Sequence, residues 1–306
     1  MGYCFKIEKT ICKTKTAKIR KKAFSNLFFI VLFLIFITVF AVGFYFVKQF
    51  LYQKKLNSAI ILTKSSPVNY IDGLVLWLEA VNNVDFIDKE NNSFIYSWQN
   101  KPKGSFTQVN KDNQPIYSRF GINNLPSLYF ERKFFMTDLS FQDISQSATI
   151  FVVTKPSDSL GRKTILAKSN DKTNFRFLIN IKKENYNYEF CLFESQEKCF
   201  ITKNITKETQ DEISTQIVSI VADSYNNNKN GLQLFVNGVF LSSFITNNSF
   251  FAESKSPLNI ARTIDQNNVA TGYFDGYIAE IIIYNKVLSD LQRKLIEDYL
   301  KEKWHN

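Results

Sequence analysis

From Gly73 onward, short apolar runs alternate with clusters of Asn, Asp, Gly, Pro and Ser, the pattern of strands separated by turns. Leu74–Leu78, Ser127–Glu131, Thr149–Thr154, Phe175–Asn180, Ile217–Val221 and Tyr277–Tyr284 are the clearest strands. Leu232–Val236 and Val239–Leu241, joined across Asn237-Gly238, predict a hairpin, because Asn-Gly suits the left-handed backbone of a tight turn. The helical period appears only at the end. Ser289 and Gln292 form a capping box, and Leu291, Leu295, Ile296, Tyr299, Leu300 and Trp304 recur at three and four, an apolar stripe that must pack on something. Strands without intervening helices predict an all-β fold of two antiparallel sheets packed as a sandwich, with one C-terminal helix.

A different pattern precedes this. Residues 23–47 contain no charge, and as a helix they reach about 37 Å, enough to cross a hydrocarbon layer of about 30 Å. The run is longer than a cleaved signal's apolar core and ends in bulky Phe44, Tyr45 and Phe46, so it predicts an uncleaved transmembrane helix. The sequence then divides into a basic cytosolic tail at 1–22, the membrane helix at 23–47, a juxtamembrane stalk at 48–72 and a sandwich domain at 73–306. Lys21-Lys22-Ala23-Phe24 followed by the apolar run resembles the processing site of type IV prepilins and pseudopilins. That resemblance implies cleavage between Ala23 and Phe24 and a role as a minor pilin-like subunit of an envelope assembly. Phe28 stands where that family carries Glu.

Charge changes the picture by its location. The chain's formal charge is +10, but residues 1–22 hold eight Lys or Arg against Glu8 alone, a net +7, and residues 48–306 hold a net +3. The excess lies on the N-terminal flank of the apolar run, so the positive-inside bias places the N-terminus in the cytosol and the sandwich outside the cytoplasm. A nearly balanced sandwich has no phosphate-binding face, which argues against nucleic acid as a partner. The 30 Phe and 14 Tyr suit half-buried pleated surfaces.

This topology separates the four cysteines. Cys4 and Cys12 fall in the tail, and Cys191 and Cys199 lie in the outer domain around Glu194-Ser195-Gln196-Glu197. If a hairpin turns at Ser195, the second pair stands opposite and is expected to form a disulfide, in the compartment where one persists. The single His, His305, sits in the terminal tail, which excludes a triad built on a core histidine. Glu131, Glu189, Glu194 and Glu280 are scattered and read as solvated rim carboxylates rather than the paired carboxyls of a glycosidase. Zinc spacing and a phosphate loop are absent. No cofactor is expected; Asp85, Asp88, Asp138 and Asp143 could line loops and hold calcium, although such residues more often make turns. Tyr117, Tyr186 and Tyr225 are candidates for stacking on a sugar, in a chain where most aromatics belong to the core.

Asp72-Gly-Leu-Val-Leu-Trp-Leu-Glu-Ala80, Trp98-Gln-Asn100, Leu125-Pro-Ser-Leu-Tyr-Phe130, Ala148–Val153, Leu234–Val239 and above all Phe274–Tyr284 followed by the terminal helix resemble the laminin-G-like jelly rolls of the concanavalin A-like lectin and glucanase superfamily. Glu79 and Phe130-Glu131-Arg132 depart from that family's pattern. The resemblance implies a jelly-roll sandwich that binds a glycan or protein, as an adhesion or recognition module at the cell surface; the Glu-x-Asp-x-x-Glu pattern of the superfamily's glucanases does not occur here, which leaves a glycan-active enzyme as the third reading.

Overall fold

A computed structural model describes residues 66–305 except 83, 87–93, 132, 139–140, 142–143, 145–146, 158, 169–173, 194–196, 207–212, 224–229, 247–256 and 265–268, together with residues 36, 40 and 43–45. The chain divides into two compact units, Met1–Ser65 and Ser66–Asn306. Phe36, Phe40, Gly43, Phe44 and Tyr45 are helical. The rest of the expected membrane helix, the basic tail, and Ala23 and Phe24 lie outside the described residues, among which no helix is long and apolar enough to cross a membrane.

In the second unit the strands are β1 (Leu74–Glu79), β2 (Val84–Phe86), β3 (Ile95–Gln99), β4 (Ser105–Thr107), β5 (Ile116–Ile122), β6 (Leu125–Phe130), β7 (Met136–Asp138), β8 (Ala148–Pro156), β9 (Gly161–Lys168) and β10 (Asn174–Ile181). They continue as β11 (Asn185–Phe193), β12 (Glu197–Ile201), β13 (Ile205–Thr206), β14 (Gln216–Asp223), β15 (Asn230–Val236), β16 (Val239–Thr246), β17 (Leu258–Ile260), β18 (Thr263–Ile264), β19 (Ala270–Thr271) and β20 (Gly276–Tyr284). The helix α1 (Asp290–Trp304) closes the chain.

Two antiparallel sheets dominate. The eight-stranded sheet runs β16-β15-β14-β8-β20-β6-β5, with β1 also on β20. β20 pairs with β8 along one edge and divides the other between β6, at residues 276–278, and β1, at residues 280–284. The ten-stranded sheet runs β12-β11-β10-β9-β17-β7-β4-β3-β2, with β13 on β11. This is the all-β sandwich with a C-terminal helix that the periodicity predicts.

Strand alternation builds two cores. Ile150 and Val152 of β8, Val218 and Ile220 of β14, and Ile281 and Ile283 of β20 meet Phe177, Tyr188, Phe190 and Trp98 of the other sheet. Phe151, Val153, Ile217, Ile282 and Tyr284 point the opposite way and join Ile296, Leu300 and Trp304 of α1. The eight-stranded sheet is therefore apolar on both faces, which is why β8, β14 and β20 read as continuous apolar runs.

Val68 and Ile71 are buried in that second core, and Tyr284 donates from its hydroxyl to the Val68 carbonyl at 2.9 Å. The compact unit thus begins at Ser66, earlier than the boundary expected at Gly73, because Pro67–Tyr70 forms a 3-10 turn that fills space beside α1. Asn237 and Gly238 both adopt positive φ, as an Asn-Gly hairpin requires. Cys191 and Cys199 are directly paired across β11 and β12 and joined by a disulfide.

Candidate ligand-binding face

A sandwich has two outer faces, and here they differ in kind. On the eight-stranded sheet the outer face is closed by α1. Arg293 donates twice to Glu297 at 2.7 Å and lies 3.7 Å over the Phe235 ring. The Asn123 amide donates to the Trp304 carbonyl at the helix end.

Beneath that helix lies a buried carboxylate pair. Glu79 and Glu280 are cross-strand partners, and donors occupy all four oxygens. Glu280 Oε1 accepts from Trp77 Nε1 at 2.7 Å and Tyr299 OH at 3.4 Å; Oε2 accepts from Lys303 Nζ at 2.7 Å and Trp304 Nε1 at 2.8 Å. Glu79 takes Lys101 on one oxygen and Lys303 on the other. Burial raises the Glu280 carboxyl above the ordinary range, more than Lys303 draws it down. At Glu79 burial also pushes upward, but Lys303 and Lys101 outweigh it and leave this carboxyl below the ordinary value. Two carboxyls with opposite shifts would suit an acid and a base. With every oxygen engaged by protein and Glu280 out of contact with solvent, this pair instead clamps α1 to β1 and β20.

The outer face of the ten-stranded sheet is of the other kind. Pairing registers place Asp85, Ser97, Thr107, Thr137, Asn259, Ala167, Arg176, Cys191 and Cys199 in one transverse row across nine strands. Their immediate strand neighbours Trp98, Phe106, Met136, Ile260, Leu166, Phe177 and Phe190 belong to the inner core, so the row faces outward by alternation. Neither apolar cluster includes any of its members. The centre carries only small side chains; Ser97, Asn259 and Ala167 are buried and Thr107 and Thr137 half-buried, so the accessible floor of this shallow trough is the two threonines.

Long polar side chains flank this floor. At one end the Gln99 amide donates to Ser97 Oγ at 3.0 Å and to the Asp85 carboxylate. In the middle, Asn259 Oδ1 accepts from Thr137 Oγ1 and from Arg262 Nε at 3.0 Å, with the Arg262 guanidinium 3.2 Å from the Phe135 ring centroid. At the other end Arg162 donates from Nε and Nη2 to Glu189 Oε2 at 2.9 and 2.8 Å, and its Nη2 lies 3.3 and 3.1 Å from the two disulfide sulfurs. Asn180 Nδ2 donates to the remaining Glu189 oxygen at 2.8 Å. Beside the first residues of β9 opens a cavity of about 450 Å³, lined by Arg162, Lys163, Tyr273, Asp275, Leu160 and two glycines.

Several sequence candidates stand differently from expectation. Glu189 and Glu280 are buried, not rim carboxylates, because a guanidinium and a helix respectively cover them; Glu131 is half-buried and Glu194 lies outside the described residues. Tyr186 is a core residue, on the same side of β11 as Tyr188 and Phe190, and cannot stack on a ligand outside. Tyr117 is half-buried against the same core, and Tyr225 lies outside the described residues. Asp85 bonds Gln99 and Asp138 is buried, whereas Asp88 and Asp143 lie outside the described residues. Among the described residues the group closest to a metal-ligand set is Glu189, Cys191 and Cys199. Its sulfurs are bonded to one another and its carboxylate to Arg162, so it offers a metal nothing. His305 caps the C-terminus of α1. Arg162, Arg262 and Asn259 were not legible as site residues; each is a lone polar residue next to a short apolar run.

The family model described as the concanavalin A-like lectin/glucanases superfamily (Laminin_G_3) matches residues 135–292. No curated protein matches. Among solved structures, the chain is similar to CBM40 of the Ruminococcus gnavus IT-sialidase at 18% identity, covering 56% of this chain and 94% of that one with a TM-score of 0.44. Domain 4 of a GH43 extracellular arabinanase from Geobacillus stearothermophilus, in complex with arabinotriose, matches at 13% identity, covering 73% of this chain and 97% of that one with a TM-score of 0.47. The botulinum neurotoxin serotype D binding domain matches at 14% identity, covering 76% and 53% with a TM-score of 0.49.

Proposed function

We propose a recognition role for this protein from the premise that the chain belongs to the concanavalin A-like lectin/glucanases superfamily. The unit from Ser66 onward is a non-catalytic module that binds a glycan along the outer trough of its ten-stranded sheet. It is held outside the cytoplasm by residues 23–47, whose uncharged length and basic N-terminal flank support a single-pass anchor. One observation carries the reading: the fold closes one outer face with an apolar layer and a helix and leaves the other as a row of hydroxyl and amide side chains. Hydroxyl and amide groups of this kind pair with sugar hydroxyls. The saturated Glu79–Glu280 pair supports binding without turnover.

The test is a glycan-binding screen on purified residues 66–306. Thr137→Trp fills the middle of the trough, and Lys294→Ala alters the exposed side of α1. The trough variant is expected to weaken glycan binding by about tenfold or more, which is about 1.4 kcal/mol, and the helix variant to leave it unchanged. Equal binding by both variants would place the ligand elsewhere.

Location has its own test. After mild reduction of intact cells, a membrane-impermeant maleimide is expected to label Cys199, which is half-buried, while Cys4 and Cys12 react only after permeabilisation. The opposite pattern would reverse the orientation.

A further inference from the structure

The cavity beside β9 has an unbalanced charge. Arg162 is matched by Glu189, and Asp275 accepts a 3.4 Å hydrogen bond from the Tyr129 hydroxyl. Lys163, at the cavity wall, has no carboxylate partner among the described residues, and neither does Arg262, which stands behind Tyr273. Among the described residues the groups around the Arg262 guanidinium are neutral: Asn259 Oδ1, the Phe135 ring and the Tyr273 hydroxyl. Burial draws its pKa down to about 10, so the charge persists at neutral pH in a place that solvates it poorly. Within the lining Lys163 stands against Asp275, so the positive excess comes from Arg262, outside the lining and linked to it through Tyr273; an uncompensated, partly buried cation is costly until an anion meets it. The volume of about 450 Å³ is that of a small-ligand site. Tyr273 and the exposed Leu160 add apolar surface on which a sugar ring can rest.

We propose that this cavity takes the acidic group of an anionic sugar, a carboxylate or sulfate, whose neighbouring rings extend from Arg162 onto the trough. Lys163 and Arg162 contact the acid and Arg262 adds charge through Tyr273. The inference rests on the glycan-binding reading above and narrows its ligand class.

The full chain in detergent micelles is titrated with two matched pairs of probes: tetragalacturonate against its methyl ester, and 3′-sulfolactose against lactose. At least one acidic member is expected to bind about tenfold more tightly than its neutral partner at about 20 mM NaCl, and that preference to weaken severalfold at about 500 mM, where the Debye length falls to about 4 Å. Arg262→Gln and Lys163→Gln should each reduce the preference severalfold, with Arg262→Lys retaining part of it. Lys163 is at the margin of the fold, so its variant decides the matter should Arg262→Gln unfold. Equal affinity for both members of each pair, or a preference that survives both substitutions, would overturn the acidic-sugar inference and leave the glycan-binding reading standing. Binding to no member of either pair, by a chain that also fails the wider glycan screen, would overturn both.

Discussion

Lys303→Met is expected to destabilise the unit from Ser66 onward by about 3–5 kcal/mol, the usual cost of leaving a buried carboxylate without its cation. Lys303 Nζ contacts both carboxylates, Glu280 Oε2 at 2.7 Å and Glu79 Oε1. Burial alone would pull the Lys303 pKa down, but Glu280, Tyr299 and Glu79 outweigh it and hold the amine above its ordinary value. Methionine keeps the apolar stem and removes the charge, so the loss reads the electrostatic clamp rather than packing. Two carboxylates would then face each other across β1 and β20 with Lys101 alone to offset them. Adding Glu280→Gln should recover part of the loss, because an amide can remain bonded to the indoles without a cation. Urea unfolding of the single and double variants measures this; a loss below about 1 kcal/mol in Lys303→Met would mean the pair behaves as a surface ion pair.

Gly276→Ala should be of similar severity for a backbone reason. Gly276 opens β20 with φ of +134°, and an added Cβ would stand 2.5 Å from the Lys155 carbonyl oxygen and 2.8 Å from Pro156 Cα. Those atoms belong to β8, the neighbour along the whole of β20, so neither strand can retreat without losing pairing. The expected cost is about 3 kcal/mol or more, in the range of severe backbone conflicts. Gly231→Ala is the control: a Cβ there meets nothing within 4 Å, and that variant should stay within about 1 kcal/mol of the parent. Comparable melting of the two proteins would contradict the close approach of β8 and β20.

The elements most legible in the sequence are those with two buried faces. β8, β14 and β20 supply long β-branched runs, and α1 announces itself through its capping box and stripe. β17 and β7 are three residues each, too short for alternation to show, yet both lie in the middle of the trough. The trough itself could not be read, because it is made by pairings such as Ser97 with Thr107 and Thr137 with Asn259, between residues that are unremarkable in their own segments. In the sequence Glu280 reads as a rim carboxylate, because its burial depends on Trp304 and Lys303, which arrive a helix later. The burial of Tyr186 is written locally: in Asn185-Tyr-Asn-Tyr-Glu-Phe190 the aromatics alternate strictly and must share one face.

A crystal structure of residues 66–306 with the tightest glycan from the screen would show whether the outer face of the ten-stranded sheet is the binding surface. Sugar density is expected over Thr107 and Thr137, reaching towards Arg162. Density seated instead on α1 or at the Asn237-Gly238 hairpin, with the trough holding only water, would contradict it.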